Sequence, residues 1–432
     1  MRRHRIGLGR RPASFDVRRD ELRQLFRRSR DIVLLSAGTG ALVGFSVRLF
    51  EYVVLELLYH PLTELDLWVV AVAPVAGLVL SGLALKWVGR GASSATSDEY
   101  LRAYHDPNYT LRIRPMIARI AASVATLGSG GSLGLEGPSM YGGASLGESI
   151  QSRLPRRLRG TDHRTLLVAG AAAGVAAIFK APATGAIFAL EVPYRNELAR
   201  RMLLPALVAS ASGYLAFVAL ADTSPLLRAV DQELFSIRDL FGAILVGISC
   251  AIGARTFAKL MRIAKGFSLR ALPVRVIICG SGLVGLFVLS RLLTGESLTI
   301  GTGYEVITGW LADPDLALWL IVVVLFMRCL ASALTMAGGG VGGVFIPLVV
   351  GGAFVGRAVA EAVNPERYTL YTLLGVAAFL GAGYRVPIAA IMFVAETTGR
   401  PNFVVPALFA AVAAELVMGD QSITVFQRTP DD

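Results

Sequence analysis

A chain of 432 residues could hold two or three soluble domains. A hydrophobic share of 54% and a mean hydropathy of +0.60 exclude them, because a soluble fold would need more core than its surface could enclose. The formal net charge of +11 would suit nucleic acid in a soluble protein. Here the cations cluster in short segments beside apolar runs, which excludes that partner and points to a membrane.

In chain order, the first 30 residues carry eleven Arg against three acids, Asp16, Asp20 and Glu21. No small-residue cleavage site follows them and Ile32 opens a full span, so residues 1–31 read as a basic cytoplasmic segment rather than a targeting peptide. Apolar runs covering all or most of the roughly 20 residues needed to cross a bilayer follow at 32–50, 67–88, 202–221, 240–258, 274–289 and 316–327. Basic loops at 153–164 and 255–270 join the N-terminus on the cytoplasmic side by the positive-inside rule, and the C-terminus is expected there too. No long hydrophilic stretch divides the runs, so one integral domain over 32–427 is expected, with a short tail at 428–432.

The chain also repeats itself. Gly130-Gly131-Ser132-Leu133-Gly134-Leu135-Glu136-Gly137-Pro138, then Gly142-Gly143-Ala144, matches Gly339-Gly340-Val341-Gly342-Gly343-Val344-Phe345-Ile346-Pro347, then Gly351-Gly352-Ala353, at a constant offset of 209. Lys180, Pro182, Gly185, Phe188 and Glu191 match Arg385, Pro387, Ala390, Phe393 and Glu396 at an offset of 205. Two matches in the same order define two homologous halves, about 30–225 and 235–427. Gly- and Pro-interrupted apolar segments at corresponding places in two halves mark a transport site near the bilayer midplane.

Each glycine costs a helix about 1 kcal/mol relative to alanine, so these runs break helices. Non-helical backbone at membrane depth must line a cavity or be buried in protein. Helices restarting near Glu136 and Phe345 would aim free N–H groups and a partial positive charge at that cavity, a site for an anion held by dipoles. Gly142, Gly143, Gly351 and Gly352 are read instead as close-packing positions.

Cys250, Cys279 and Cys329 have no metal-ligand spacing and the four histidines are unpaired, so no metal or other cofactor is expected. Neither a Ser/His/Asp set nor an H-E-x-x-H motif is present, which argues against an enzyme.

With these residues the chain resembles the CLC family of chloride channels and chloride/proton antiporters over about 32–427. Gly134-Leu135-Glu136-Gly137-Pro138 is similar to the family's G-[KR]-E-G-P element and Gly343-Val344-Phe345-Ile346-Pro347 to its G-x-F-x-P element. The resemblance implies an all-α integral membrane fold, an inverted-topology repeat of tilted and broken helices, in a homodimer whose subunits each carry a chloride pore. It implies Glu136 as the external gate and the backbone amides near Glu136, Gly137, Val344 and Phe345 as anion ligands. The family's serine element is replaced by Ser93-Ser94-Ala95-Thr96-Ser97; aligning Asp98 with the acid that follows it makes Ser94 the anion-coordinating hydroxyl, with Ser93 as the alternative. Where the family often carries a tyrosine near the C-terminus, this chain offers Thr424. The internal proton-relay glutamate of the antiporters is replaced by Val192, with Glu191 beside it read as structural and Glu197 at the cytoplasmic surface. The usually basic position before the gate is Leu135. The expected function is therefore chloride transport across the cell membrane, channel-like with weak or no proton coupling; a chloride/proton antiporter or a fluoride-transporting relative is the alternative. Nucleotide regulation through C-terminal CBS domains is not expected.

Overall fold

The computed structural model describes residues 15–155, 162–195, 197–223, 226–227, 235–399 and 401–429. Residues 1–14 of the basic segment, residues 156–161 of the 153–164 loop, most of the junction between the halves and residues 430–432 of the tail lie outside them. Among the described residues every regular element is a helix, and β pairing is limited to two isolated bridges.

The first half runs α1 (Phe15–Tyr52), which continues through Val53–Tyr59 into α2 (His60–Thr63), then α3 (Leu67–Leu83), α4 (Ser97–His105), α5 (Ile113–Gly128), α6 (Glu136–Arg153), α7 (Arg164–Phe179), α8 (Pro182–Glu191) and α9 (Leu203–Val218). The second runs α10 (Ile237–Phe267), α11 (Leu272–Thr294), α12 (Tyr304–Thr308), α13 (Leu318–Ala337), α14 (Phe345–Val363), α15 (Tyr368–Tyr384), α16 (Pro387–Thr398) and α17 (Val404–Met418). Among the described residues seven helical stretches are long and apolar enough to cross a membrane: Arg30–Thr63, Leu67–Val88, Arg200–Val218, Ile237–Phe267, Leu272–Thr294, Leu318–Ala337 and Phe345–Val363. Six carry the runs read from the sequence, and the seventh is the helix that restarts at Phe345. With 16 residues α7 reaches only about 24 Å, short of the roughly 30 Å hydrocarbon core, and α8, α16 and α17 are shorter still. These are the broken helices of the expected inverted-repeat, all-α fold.

Hydrophobicity decides where each helix sits. Leu166–Phe179 of α7 and Leu370–Tyr384 of α15 are apolar on every side, and both stretches are buried throughout. Around them the halves match: α1, α6, α8 and α9 pack on α7 as α10, α14, α16 and α17 pack on α15. Small residues set the spacing. A Cβ at Gly143 would stand 2.2 Å from the Gly170 carbonyl oxygen, and one at Gly352 would stand 2.2 Å from that of Gly375, so the close-packing reading of Gly143 and Gly352 holds.

The halves are also tied by an exchange of caps. The Glu191 carboxylate, at the end of α8, accepts from the N–H groups of Ile388 (3.2 Å) and Ala389 (2.8 Å) at the start of α16. The Glu396 carboxylate of α16 accepts from Ala183 N–H (2.9 Å), Thr184 N–H (2.6 Å) and the Thr184 hydroxyl (2.6 Å) at the start of α8. Each acid neutralises the dipole and the orphan donors of its partner's first turn. Both are thereby structural, and α8 and α16 are held side by side.

Replacing Glu396 by Ala leaves two amides and a hydroxyl without their acceptor, which should lower stability by about 3 kcal/mol. Glu396→Gln keeps one acceptor oxygen and should lose less. Thermal unfolding of the detergent-purified protein measures both; an unchanged midpoint in Glu396→Ala would show that the cap carries no stability.

Candidate functional site

The site is built where the two glycine loops meet. Gly130 and Gly339 close α5 and α13 with the same left-handed φ of +89°, a conformation that suits glycine. The loops then trade hydrogen bonds across the halves. Thr126 Oγ1 accepts from Val341 N–H at 3.0 Å, and Thr335 Oγ1 accepts from Ser132 N–H at 3.2 Å. At the centre Gly134 and Gly343 exchange both backbone bonds, 2.9 Å one way and 2.7 Å the other. Two residues beyond this antiparallel bridge, α6 and α14 begin.

Glu136 is the first residue of α6 and is buried. Its side chain crosses to the other helix: Oε1 accepts from Phe345 N–H at 2.7 Å and from Ile346 N–H at 3.4 Å. Oε2 is buried with no hydrogen-bond partner among the described residues. Among the described residues no arginine or lysine pairs with the carboxylate, which is held in the first turn of α14 by backbone donors and the helix dipole. A Cβ at Gly343 would lie 2.0 Å from Glu136 Oε1, so the glycine is what lets the carboxylate reach its seat.

Aromatic rings wall the site. Phe345 packs at a tilt against Phe179 with centroids 4.3 Å apart and meets Phe393 and Phe188 edge-on at 5.1 and 5.4 Å. From one face of the protein a cavity of about 730 Å³ reaches in to Val344, Thr96 and Tyr384. Four cations line it, Lys86, Lys265, Arg270 and Arg275, against one acid, Asp98. Asp98 pairs with Lys265 at 2.6 Å and accepts from Val425 N–H at 3.2 Å, which fastens the C-terminal loop to the start of α4.

The residues singled out in the sequence fall in two groups. Glu136, Gly137, Val344 and Phe345 come together at the two helix starts, and Ser94 and Thr424 line the cavity below them. The Thr424 hydroxyl is shared with Ser422 at 2.9 Å. Ser93 lines the cavity as well, but its hydroxyl is engaged, donating to Glu99 at 3.1 Å and accepting from Arg119 at 3.1 Å. Val192 is fully buried at the end of α8, Glu197 is exposed, and Leu135 is buried rather than set in an open mouth.

Two lining residues were not singled out. Thr96 is buried, with its hydroxyl oxygen 2.7 Å from where a Gly137 Cβ would stand. The run Thr96-Ser97-Asp98-Glu99 is a helix-start signature that would have placed it just before α4. Tyr384 ends α15 on the cavity wall; its signal is its place before Arg385, which, like its mate Lys180, has a left-handed φ, 58° and 53° respectively.

Residues 76–419 match the family described as voltage gated chloride channel. The chain is 27% identical over 365 residues to the putative chloride channel protein ClcB-like of Ralstonia nicotianae, covering 80% of this chain and 81% of that one. It is 26% identical over 427 residues to the H(+)/Cl(-) exchange transporter ClcA of Vibrio parahaemolyticus, covering 91% and 88%. Its fold is similar to that of the crystal structure of a CLC-type fluoride/proton antiporter, with a TM-score of 0.76 at 23% identity over 92% of this chain and 98% of that one.

Because the loops support each other, Thr126→Val and Thr335→Val should each strand one amide of the opposite half and lower stability by about 1–3 kcal/mol. Chemical denaturation of each variant should show similar losses. A large loss in one and none in the other would mean that the exchange is not shared equally by the halves.

Proposed function

This chain belongs to the voltage gated chloride channel family, and we propose that it carries small inorganic anions, chloride foremost, along a path formed by the starts of α6 and α14 and gated by Glu136. The observation that carries this reading is the seat of the Glu136 carboxylate on the Phe345 and Ile346 amides. A group of one negative charge held by backbone donors marks a place that a halide of the same charge can take. Neutral dipoles hold such an ion without the grip of a fixed cation, which suits release as much as capture. Charged, the carboxylate competes with the anion for the amides; protonated, it loses its charge-assisted bonds and yields the seat.

In this reading Gly137, Val344 and Phe345 supply backbone donors, and Ser94, Thr96 and Thr424 supply hydroxyls along the inner approach. The four cations of the cavity raise the local anion concentration at its mouth. The cavity mouth carries the end of α10 with its basic 255–270 segment, so we assign this face and both termini to the cytoplasm. The functional unit is taken to be a homodimer, each subunit with its own path.

For the mechanism we propose transport with weak or no proton coupling. Val192 can neither bind nor relay a proton, and Glu191 beside it is committed to the start of α16. Proton-coupled exchange is the second reading, favoured by the similarity to the exchange transporter of Vibrio parahaemolyticus. Efflux from liposomes holding the purified protein, with chloride, fluoride and proton movement recorded together, separates the readings. Chloride efflux without uphill proton movement is the expected result. A chloride gradient that drives protons uphill at a fixed ratio would establish the second reading, fluoride movement alone would reassign the ion, and absence of any anion flux would refute both.

Flux should rise as pH falls, because protonation frees the seat. Glu136→Gln is neutral at every pH and should give high flux that no longer depends on pH. Wild-type pH dependence in that variant would place the gate elsewhere.

A further inference from the structure

We propose that Arg119 is the positioning residue of segment 93–96, holding the Ser94 and Thr96 hydroxyls in register with the start of α6 and so setting how tightly the path binds its anion. The inference rests on the anion path proposed above and adds to it a residue that acts from behind the cavity wall.

Segment 89–96 joins the stretch Ala84–Val88 to α4 without regular structure, and it turns through left-handed φ values at Arg90 (52°) and Gly91 (82°). Its shape is not set from within. Among the described residues, the only hydrogen bond to the backbone of residues 92–95 is the one that Arg119 Nε donates to the Ser93 carbonyl at 3.0 Å. The same guanidinium donates from Nη2 to the Ser93 hydroxyl at 3.1 Å and pairs with Glu99 of α4 at 3.0 Å. From Nη1 it reaches the Tyr141 hydroxyl of α6 at 2.6 Å. All three nitrogens are engaged, and the residue is buried. Glu99 is held in turn by the hydroxyls of Ser93 and Tyr109.

Two attachments of the segment fall on one face of α6, because Gly137 and Tyr141 are four residues apart in that helix. A Cβ at Gly137 would stand 2.7 Å from Thr96 Oγ1, so the glycine lets the threonine hydroxyl close on the first turn. Arg119 ties Ser93 to the same helix one turn further on. Ser94 lies between the two attachments and lines the cavity with Thr96. Arg119 is not part of that lining, and Glu99 compensates its charge, so it acts by geometry rather than as an anion ligand. The planar fork of arginine meets acceptors on the segment, on α4 and on α6 at once, which the compact ammonium of lysine does not match.

Chloride titration calorimetry on the purified full-length protein tests this. Arg119→Lys keeps the charge opposite Glu99 but loses the fork, and it should raise the chloride dissociation constant about three-fold or more. Tyr141→Phe leaves Arg119, Glu99 and Ser93 in place and removes only the acceptor on α6; it should raise the constant as well. The double variant should go no further than Arg119→Lys alone, because both changes break one link. Misfolded protein lowers the number of binding sites but not the affinity of those that remain, so a folding defect does not imitate this result. Unchanged constants in both single variants, or effects that add in the double variant, overturn the assignment. A wild-type protein that binds no chloride refutes the path, and this positioning role with it.

Discussion

The two backbone bonds between Gly134 and Gly343 are the constraint on which the rest of the molecule depends. They join the broken loops of the halves and so fix the distance between the two helices that restart beyond them. Only a backbone pair fits there, because a Cβ at Gly343 would meet both Glu136 and the Gly137 nitrogen, the latter at 2.6 Å. The threonine exchange around the bridge satisfies two further loop amides, and the interrupted backbone is thereby solvent-free without being unsatisfied.

From this junction follows an electrostatic arrangement in which buried acids are matched by helix dipoles. Glu136 rests on the first turn of α14, and Glu191 and Glu396 rest on those of α16 and α8. The same chemistry serves two purposes. Where both carboxylate oxygens are engaged, as in Glu191 and Glu396, the acid is a staple. In Glu136 one oxygen takes both donors and the other has no hydrogen-bond partner among the described residues. The difference lies in whether the donors engage both oxygens of the carboxylate or only one, not in the type of residue.

Fixed cations take a complementary place. Arg328 is buried but is spent on the carbonyls of Leu298, Ile300, Gly301 and Thr302, so it organises a loop. Lys86, Lys265, Arg270 and Arg275 stand instead around the cavity. In the proposed path, these full charges would gather anions where water screens them, and dipoles would hold the ion in the interior.

The sequence by itself determined the class of the protein, its two halves and the pairs of positions that matter. Membrane spans are written in local hydropathy, and helix breaks in local glycine and proline, so the offsets linking Gly130 with Gly339 and Glu136 with Phe345 are legible without coordinates. Glu136 was legible for the same reason, as an ionisable residue at the start of a helix between apolar runs. What only the tertiary structure decided is which partner each group meets. Glu136 finds its amides 209 residues away, Glu191 finds them 197 and 198 away, and Glu396 finds them 212 and 213 away. Ser93 is taken by Arg119, and Thr96 and Tyr384 reach the site from α4 and α15, because an inverted repeat crosses the halves at its axis. No local pattern encodes that crossing; it arises when the two loops pair and each half completes the other's helix ends.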